Sequence, residues 1–386
     1  MLKMAVGHSD DVDPHDAIRA AIDQCRTALD GVTPTVGLLL SVFESFDPSL
    51  IELVRGAFPG ITVMGATSSA EMSSIGGFLE DSVTLAVFAS DDVDITTGLG
   101  SGLGTDVDAA CRRAVDDAMA TTTRAPKVCI VLTECFAADP QVTLDAMARA
   151  LPTGVVMVGG GSARRSLGTL TPTKVFRNEQ VSTDGVAILL FSGPIAHSIA
   201  VGTGFRRLGA TGLVTRAERG VVQEIDGKPA VAFIAPYLDT TGPASFGNPL
   251  AVVEAGADRS YLRAITGTDP DTGAVSLFGS VPVGATVQLT TSSTEDILAG
   301  TKEALALATA SFPAGAHPEA ALVFSCLVRK FLLGSRTRVE SELTKAELGA
   351  SFPMAGFYCA GEIGPVEGMA TSRFLNETFV AILLGT

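Results

Sequence analysis

The sequence predicts an α/β fold assembled from internally repeated strand-helix-strand units, with mixed sheets flanked by helices. Three observations predict it. Three apolar runs end in small polar or sulfur residues: VGLLLSVFES (36–45), VCIVLTECF (128–136) and ALVFSCLVR (321–329). Each is followed, after room for one helix, by a run that breaks at glycine: VMGATSSAEM (63–72), VMVGGGSARRS (156–166) and FPMAGFYCAGE (352–362). Each then crosses a loop to a third apolar run, DSVTLAVF (81–88), DGVAILLF (184–191) or TFVAILL (378–384). The unit therefore reads strand, helix, strand, glycine turn, loop, strand, and it recurs three times.

In chain order, Asp13-Pro14 opens a first helix, with Asp before a Pro in the first turn. The first unit follows, with strand Val36 to Phe43, a helix from near Asp47-Pro48 through Phe58, and a strand from Ile61. DVDITTGLGSGLG (92–104) is a strand carrying four alternating glycines ahead of a helix over 106–120. No register of it fits GxGxxG, so a bulged or tightly packed strand end is expected. The second unit spans Lys127 to Phe191, with a helix over 139–151. IAHSIAVGTGFRRLG (195–209) then echoes the glycine strand, and a domain junction fits near 190–210. VVQEIDGKPAVAFIAPYL (221–238) gives a strand, a tight Asp226-Gly227 turn and a helix with Pro229 in its first turn. Residues 250–289 read as strands and 295–311 as a helix, and the third unit closes the chain. Its connection, LLGSRTRVESELTKAELGA (332–350), is the longest and most charged of the three.

The 386 residues are 46% hydrophobic and 18% charged, as in a well-buried globular protein of two or three domains. A net charge of −15 opposes attraction to a phosphate backbone, so nucleic acid is not an expected partner. No apolar run has the length of a signal core or a spanning helix, so no membrane insertion and a cytoplasmic location are expected. Six cysteines without a CxxC read as reduced core thiols, and four scattered histidines make no metal pattern.

Several stretches resemble FIST-domain proteins. FSCLVRKFLLGSRTRVESE (324–342), AGFYCAGEIGP (355–365) and FLNETFVAIL (374–383) are similar to the C-terminal half of that family, as are DGKPAVAFIAPYL (226–238) and the strand text from Tyr261 to Leu289. VMGATSSAEM resembles the N-terminal half. The resemblance implies a division into 1–200 and 201–386 and covers nearly the whole chain, with no output domain left over. It implies an intracellular sensory module that binds small molecules such as amino acids and passes the signal to a separate downstream protein. Some members carry haem and sense nitric oxide.

Parallel strand-helix-strand units place the ends of both strands on one side of the sheet, where ligands bind. That sets Ser41 and Glu44 beside Thr67 and Ser68, and Glu134 and Cys135 beside Gly160, Ser162 and Arg164. It sets Ser325, Cys326 and Arg329 beside Gly356, Tyr358, Cys359 and Glu362, with Asn376 entering from the last loop. Glycine turns offer backbone N–H groups, Arg a fork for a carboxylate, and Glu a partner for an ammonium. The expected function is binding of an amino acid or similar small carboxylate without catalysis, and no resident cofactor is expected. Each residue also has a structural reading. Glu362 would brace the Gly361 turn, Arg329 pair with Glu340 or Glu342, Cys359 sit as a core thiol, Asn376 order its loop, and Arg164-Arg165 face solvent. Two alternatives remain open: His197, in the apolar strand IAHSIAV, as a haem ligand, and an enzyme with Cys359, Glu362 and Arg329 as nucleophile, acid/base and anchor.

Overall fold

In the computed structural model, residues 1–165, 172–239 and 246–386 are described. The first unit contains β1 (Leu2–Ser9), α1 (Pro14–Leu29), β2 (Val36–Val42), α2 (Ser49–Ala57), β3 (Thr62–Ser68), β4 (Glu71–Ser73), β5 (Gly77–Leu79) and β6 (Val83–Ser90). The second repeats it as β7 (Asp94–Ser101), α3 (Val107–Met119), β8 (Pro126–Thr133), α4 (Pro140–Ala150), β9 (Val156–Gly161), β10 (Val175–Arg177), β11 (Gln180–Ser182) and β12 (Gly185–Ser192). The third opens with β13 (Ala196–Gly202) and is interrupted by β14 (Arg206–Glu218), β15 (Val221–Ile225), β16 (Lys228–Pro229), α5 (Val231–Ile234), β17 (Leu250–Val253), β18 (Tyr261–Arg263), β19 (Ile265–Thr268), β20 (Val275–Leu277) and β21 (Thr286–Thr291). It resumes with α6 (Thr294–Ala310), β22 (Pro318–Cys326), α7 (Leu327–Leu333), α8 (Thr337–Leu348), β23 (Met354–Cys359), β24 (Glu362–Gly364), β25 (Arg373–Leu375) and β26 (Phe379–Gly385).

The three sheets share one plan. Their orders are β1-β6-β2-β3-β10-β11, β7-β12-β8-β9-β24-β25 and β13-β26-β22-β23-β4-β5. Within each, one parallel pair (β2·β3, β8·β9, β22·β23) sits among antiparallel neighbours. What the sequence suggests is a loop after the glycine turn is a hairpin, and it belongs to another unit's sheet. Unit one's β4-β5 pairs with β23, unit two's β10-β11 with β3, and unit three's β24-β25 with β9. The exchange is cyclic, so no unit has a complete sheet alone. The third connection also differs from the expected single helix: it holds both α7 and α8.

The paired faces of each strand explain the unbroken apolar runs. Leu38, Leu40, Ile130, Leu132, Leu322 and Phe324 point into one shared core, and the alternate Leu39, Val131 and Val323 lie under the helices of their own unit. Asp13, Asp106 and Asp139 cap α1, α3 and α4 by accepting backbone N–H bonds, and Ser293 with Asp296 forms a capping box on α6. The glycine strand at 92–104 is the tightly packed kind: a Cβ on Gly98 or Gly100 would lie 1.9 Å from a carbonyl oxygen of α3. Gly7 against α1 and Gly202 against α6 repeat the contact. The Asp226-Gly227 turn forms with both residues at positive φ, whereas Pro229 lies in the short β16 just before a four-residue helix.

The interruption in unit three is a fourth sheet, antiparallel in every strand pair among the described residues, with β14 at its centre. It docks on the ends of units two and three. Asn376 Oδ1 accepts from Ala264 N–H (2.9 Å), Arg263 Nη1 donates to the Phe374 carbonyl (2.7 Å), and Phe278 sits between Phe136 (5.8 Å) and Phe374 (5.4 Å).

Candidate functional site

The ends of β3, β9 and β23 meet in a closed ring of backbone bonds. Ser69 N–H donates to Tyr358 O, Ala360 N–H to Gly161 O, and Ala163 N–H to Thr67 O, at 3.1, 2.9 and 2.7 Å. The three strand-end rims foreseen from the sequence are therefore neighbours.

Between the second and third rims lies a cavity of about 180 Å³, roofed by the fourth sheet. Phe136, Phe246, Phe278, Leu327 and Val328 make most of its wall, and Arg164, Thr266, Cys326 and Asn376 supply the polar atoms. Arg164 is 6% exposed, and its guanidinium lies 4.9 Å from the centre of the Phe43 ring. Of the residues singled out from the sequence, Arg164, Cys326 and Asn376 line this cavity. Asn376 also ties the roof to the rim through Ala264, so its structural reading is realised as well.

Directly behind Cys326 is a buried cluster of thiols and carboxyls. Glu362, fully buried, accepts from the Thr378 N–H (3.0 Å), the Thr378 hydroxyl (2.7 Å) and the Cys359 thiol (3.4 Å). Burial pushes its carboxyl up to about 7, against the hydrogen bonds that favour the charged form. Glu377 is fully buried beside it, neither carboxyl oxygen has a hydrogen-bond partner among the described residues, and its φ is +57°. Burial and the neighbouring Glu362 raise its carboxyl well above the usual range. Cys359 lies deeper than Cys326, donating to Glu362 and to Ser325 O (3.4 Å), and burial raises its thiol. Gly160 makes room for it: a Cβ there would meet Cys359 Sγ at 2.6 Å.

The remaining residues singled out are placed elsewhere. Arg329 is 0% exposed, and its guanidinium pairs with Glu340 (2.6 Å) while donating to Thr203 O, Ile297 O and Thr301 Oγ1. Tyr358 donates to the other Glu340 oxygen (2.7 Å). The charged connection of unit three is thus a buried polar knot between α6, α7, α8 and β23, and the pairing of Arg329 with Glu340 follows its structural reading. Gly356 packs its Cα face on the Val323 carbonyl. Ser162 bonds Thr173 Oγ1 (2.6 Å), Thr67 Oγ1 accepts from Lys174 N–H (3.1 Å), and Ser68 donates to Glu71. His197 is on β13, opposite Leu384 and away from the cavity lining. Among the described residues no group of three or more His, Cys, Asp or Glu is placed to hold a metal ion.

Three functional-looking residues escaped the sequence reading. Glu377 and Glu71 have signals in retrospect. Glu377 is a charge set directly before a core strand, and Glu71 follows Gly65 at the spacing by which Glu362 follows Gly356 (65 to 71, 356 to 362). Lys330, whose Nζ donates to Ser69 O (3.0 Å) and Ser69 Oγ (3.3 Å), has none, since the contact crosses units.

Family models match the chain in two consecutive stretches: the FIST N domain over residues 35–228 and the FIST C domain over residues 230–365. An uncharacterized protein of Mycobacterium tuberculosis is 32% identical over 231 residues, which are 56% of this chain and 57% of that protein. One from Mycobacterium bovis is 29% identical over 230 residues, with the same shares. The match spans little more than half the length of these relatives. Among solved structures, cyanuric acid hydrolase from A. caulinodans aligns over 99% of both chains at 11% identity and a TM-score of 0.32, too low to bear on activity.

Proposed function

Because the chain belongs to the FIST family, whose N and C domains it carries in series, we propose that it is a sensory protein that binds a small carboxylate such as an amino acid. FIST domains are in general small-ligand sensory domains of signal transduction. The observation that carries the finer reading is the roofed cavity with Arg164 in its wall. Its volume is below the roughly 300–1,000 Å³ typical of sites for drug-sized molecules, which suits a small ligand. The aromatic and aliphatic wall receives an apolar side chain, and the guanidinium receives a carboxylate. The roof is a separate sheet that docks on the rim through Asn376, Arg263 and Phe278, so ligand occupancy can be passed to a downstream signalling protein through that docking. Six free, buried cysteines suit the reducing cytoplasm.

A thermal-shift screen of the common amino acids and their 2-oxo acids, followed by calorimetry, tests this. A ligand at a hundred times its Kd adds about 2.7 kcal/mol to stability. Arg164→Ala is expected to weaken a carboxylate hit at least tenfold, and Ala360→Leu to abolish it by filling the cavity. A hit that binds both variants as it binds the parent protein would sink the assignment.

A further inference from the structure

The wall of the roofed cavity is one-sided in charge. Among the described residues Arg164 is the charged side chain that lines it, and no Asp or Glu does. The two stretches outside those residues, SLGTLT (166–171) and TTGPAS (240–245), carry no acidic residue either. The buried carboxyls behind the wall are committed elsewhere. Glu134 accepts from the Phe136 N–H (2.8 Å), the Ala137 N–H (2.7 Å) and the Thr173 hydroxyl (3.3 Å), and Glu362 accepts from Thr378 and Cys359. Acceptors in the wall are scarce as well. Asn376 Oδ1 already accepts from the Ala264 N–H (2.9 Å), and the other side-chain oxygen of the lining is the Thr266 hydroxyl. A carboxylate entering here finds a guanidinium for its charge and rings for its body. An α-ammonium beside that carboxylate would exchange its water for one or two neutral oxygens and no counter-charge, which is heavily penalised.

We infer that the ligand is an apolar monocarboxylate without an α-ammonium group, an aryl or branched-chain 2-oxo acid or a simple aryl carboxylate, and that the cavity rejects the corresponding amino acid. Phe136, Phe246 and Phe278 hold the apolar body, Arg164 holds the carboxylate, and the missing acidic partner excludes the zwitterion. Size agrees with this class. An apolar cavity of roughly 150 Å³ accommodates a benzene ring. At about 180 Å³ this one has room for a single ring or a branched chain with its carboxylate at the guanidinium. The inference rests on the reading of this cavity as a carboxylate site and adds which carboxylates it selects.

The test uses the intact chain and pairs of ligands that differ only at the α-carbon. Calorimetry compares 4-methyl-2-oxopentanoate with leucine and phenylpyruvate with phenylalanine, with benzoate as a fifth ligand. In each pair the 2-oxo acid is expected to bind at least tenfold more tightly, and Arg164→Ala to weaken it at least tenfold. Thr266→Asp sets a carboxylate into the wall from an exposed position on β19. It is expected to weaken the 2-oxo acid and strengthen the amino acid, cutting the lead tenfold or more, a crossed effect that damage to the fold would not produce. A smaller lead in the parent protein, with both ligands weakened by Arg164→Ala, overturns the inference and leaves the carboxylate site standing. A lead that Thr266→Asp leaves unchanged also overturns it, since the wall would then not be what discriminates. If none of the five ligands binds, or if all bind Arg164→Ala as they bind the parent, the carboxylate reading of the cavity falls and the inference falls with it.

Discussion

The first and third rims carry the same grammar, a strand end, two residues and a glutamate, yet one is sealed and the other borders a cavity. At the first rim, Glu71 has one carboxyl oxygen on the Ser68 hydroxyl and the other on Ser82. Ser82 in turn bonds buried His8 (2.9 Å), whose other ring nitrogen meets Ser73 (2.8 Å). The Lys330 ammonium, from α7 of unit three, lies over this network, bonded to Ser69 and ion-paired with Glu80 (3.2 Å). At the third rim, Cys359 stands where Ser68 does and Thr378 where Ser82 does, and among the described residues no lysine is bonded there and the Glu377 carboxyl, in the core, has no hydrogen-bond partner. The difference teaches that the strand-turn-glutamate scaffold is structural by default. A cavity is left where the neighbouring unit withholds its plug and a separate sheet covers the gap.

Removing a group from the sealed region therefore has the larger effect on stability. Glu340→Ala strips Arg329 of its carboxylate partner and leaves a guanidinium buried among carbonyls. Breaking a buried pair on one side costs about 3–5 kcal/mol. Urea unfolding is expected to show a loss of that size, and a loss below about 1 kcal/mol would mean that this knot is not structural. Lys330 lies on the same side of the comparison. Lys330→Met removes a charged donor from the Ser69 carbonyl and hydroxyl and is expected to cost about 1.5–3 kcal/mol in urea unfolding. A loss below about 0.5 kcal/mol would mean that this ammonium does not hold the first rim closed.

Acidity provides a finer comparison. Burial raises the carboxyls of Glu71 and Glu362 to about 7 from an ordinary 4.5. In the folded chain these groups keep their protons to higher pH than in the unfolded chain. Their contribution is therefore present below about 4.5 and is lost as pH rises through about 7, on the order of 3 kcal/mol for Glu71. Burial holds His8 down at about 3, so its contribution has the opposite sign, present above the ordinary 6.5 and lost as pH falls toward 3. Glu71→Gln is expected to flatten the decline between pH 5 and 7.5 in denaturant titrations at fixed salt. A slope unchanged in that variant would mean that Glu71 stays charged in the fold.

Much of this architecture was legible in the sequence, and the exceptions have physical reasons. The three apolar runs are continuous because both faces of each strand are covered, so the periodicity marks buried strands and the glycines mark their ends. The Asp-Pro and Ser-x-x-Asp caps announce their helices locally. What could not be read is non-local. The exchange of hairpins between units joins Glu71 to Phe357 and Val175 to Ala66, and no local pattern records which sheet a three-residue strand completes. Arg164, Cys326 and Asn376, expected at the strand-end rims, do line the cavity there. Arg329 and Tyr358 looked equally apt because they follow the same strands, and only the return of α8 with Glu340 shows them already occupied.

Glu377 makes the sharpest and smallest test of the contrast. A carboxyl that is fully buried, next to Glu362 and without a partner, costs stability in every state of charge, and more once ionised. Glu377→Gln removes the ionisable group and keeps the shape. It is expected to raise stability by about 1 kcal/mol at pH 8 and by less at pH 5, where the native acid is already neutral. The same change at the sealed rim, Glu71→Gln, exchanges an acceptor that two hydroxyls use for a poorer one, so no gain is expected at pH 5. If Glu377→Gln stabilises the chain by that amount, the carboxyl is kept at a cost in stability that packing does not explain. If it destabilises the chain at both pH values, Glu377 is a packing element, and the third rim is closer in kind to the first than its open cavity implies.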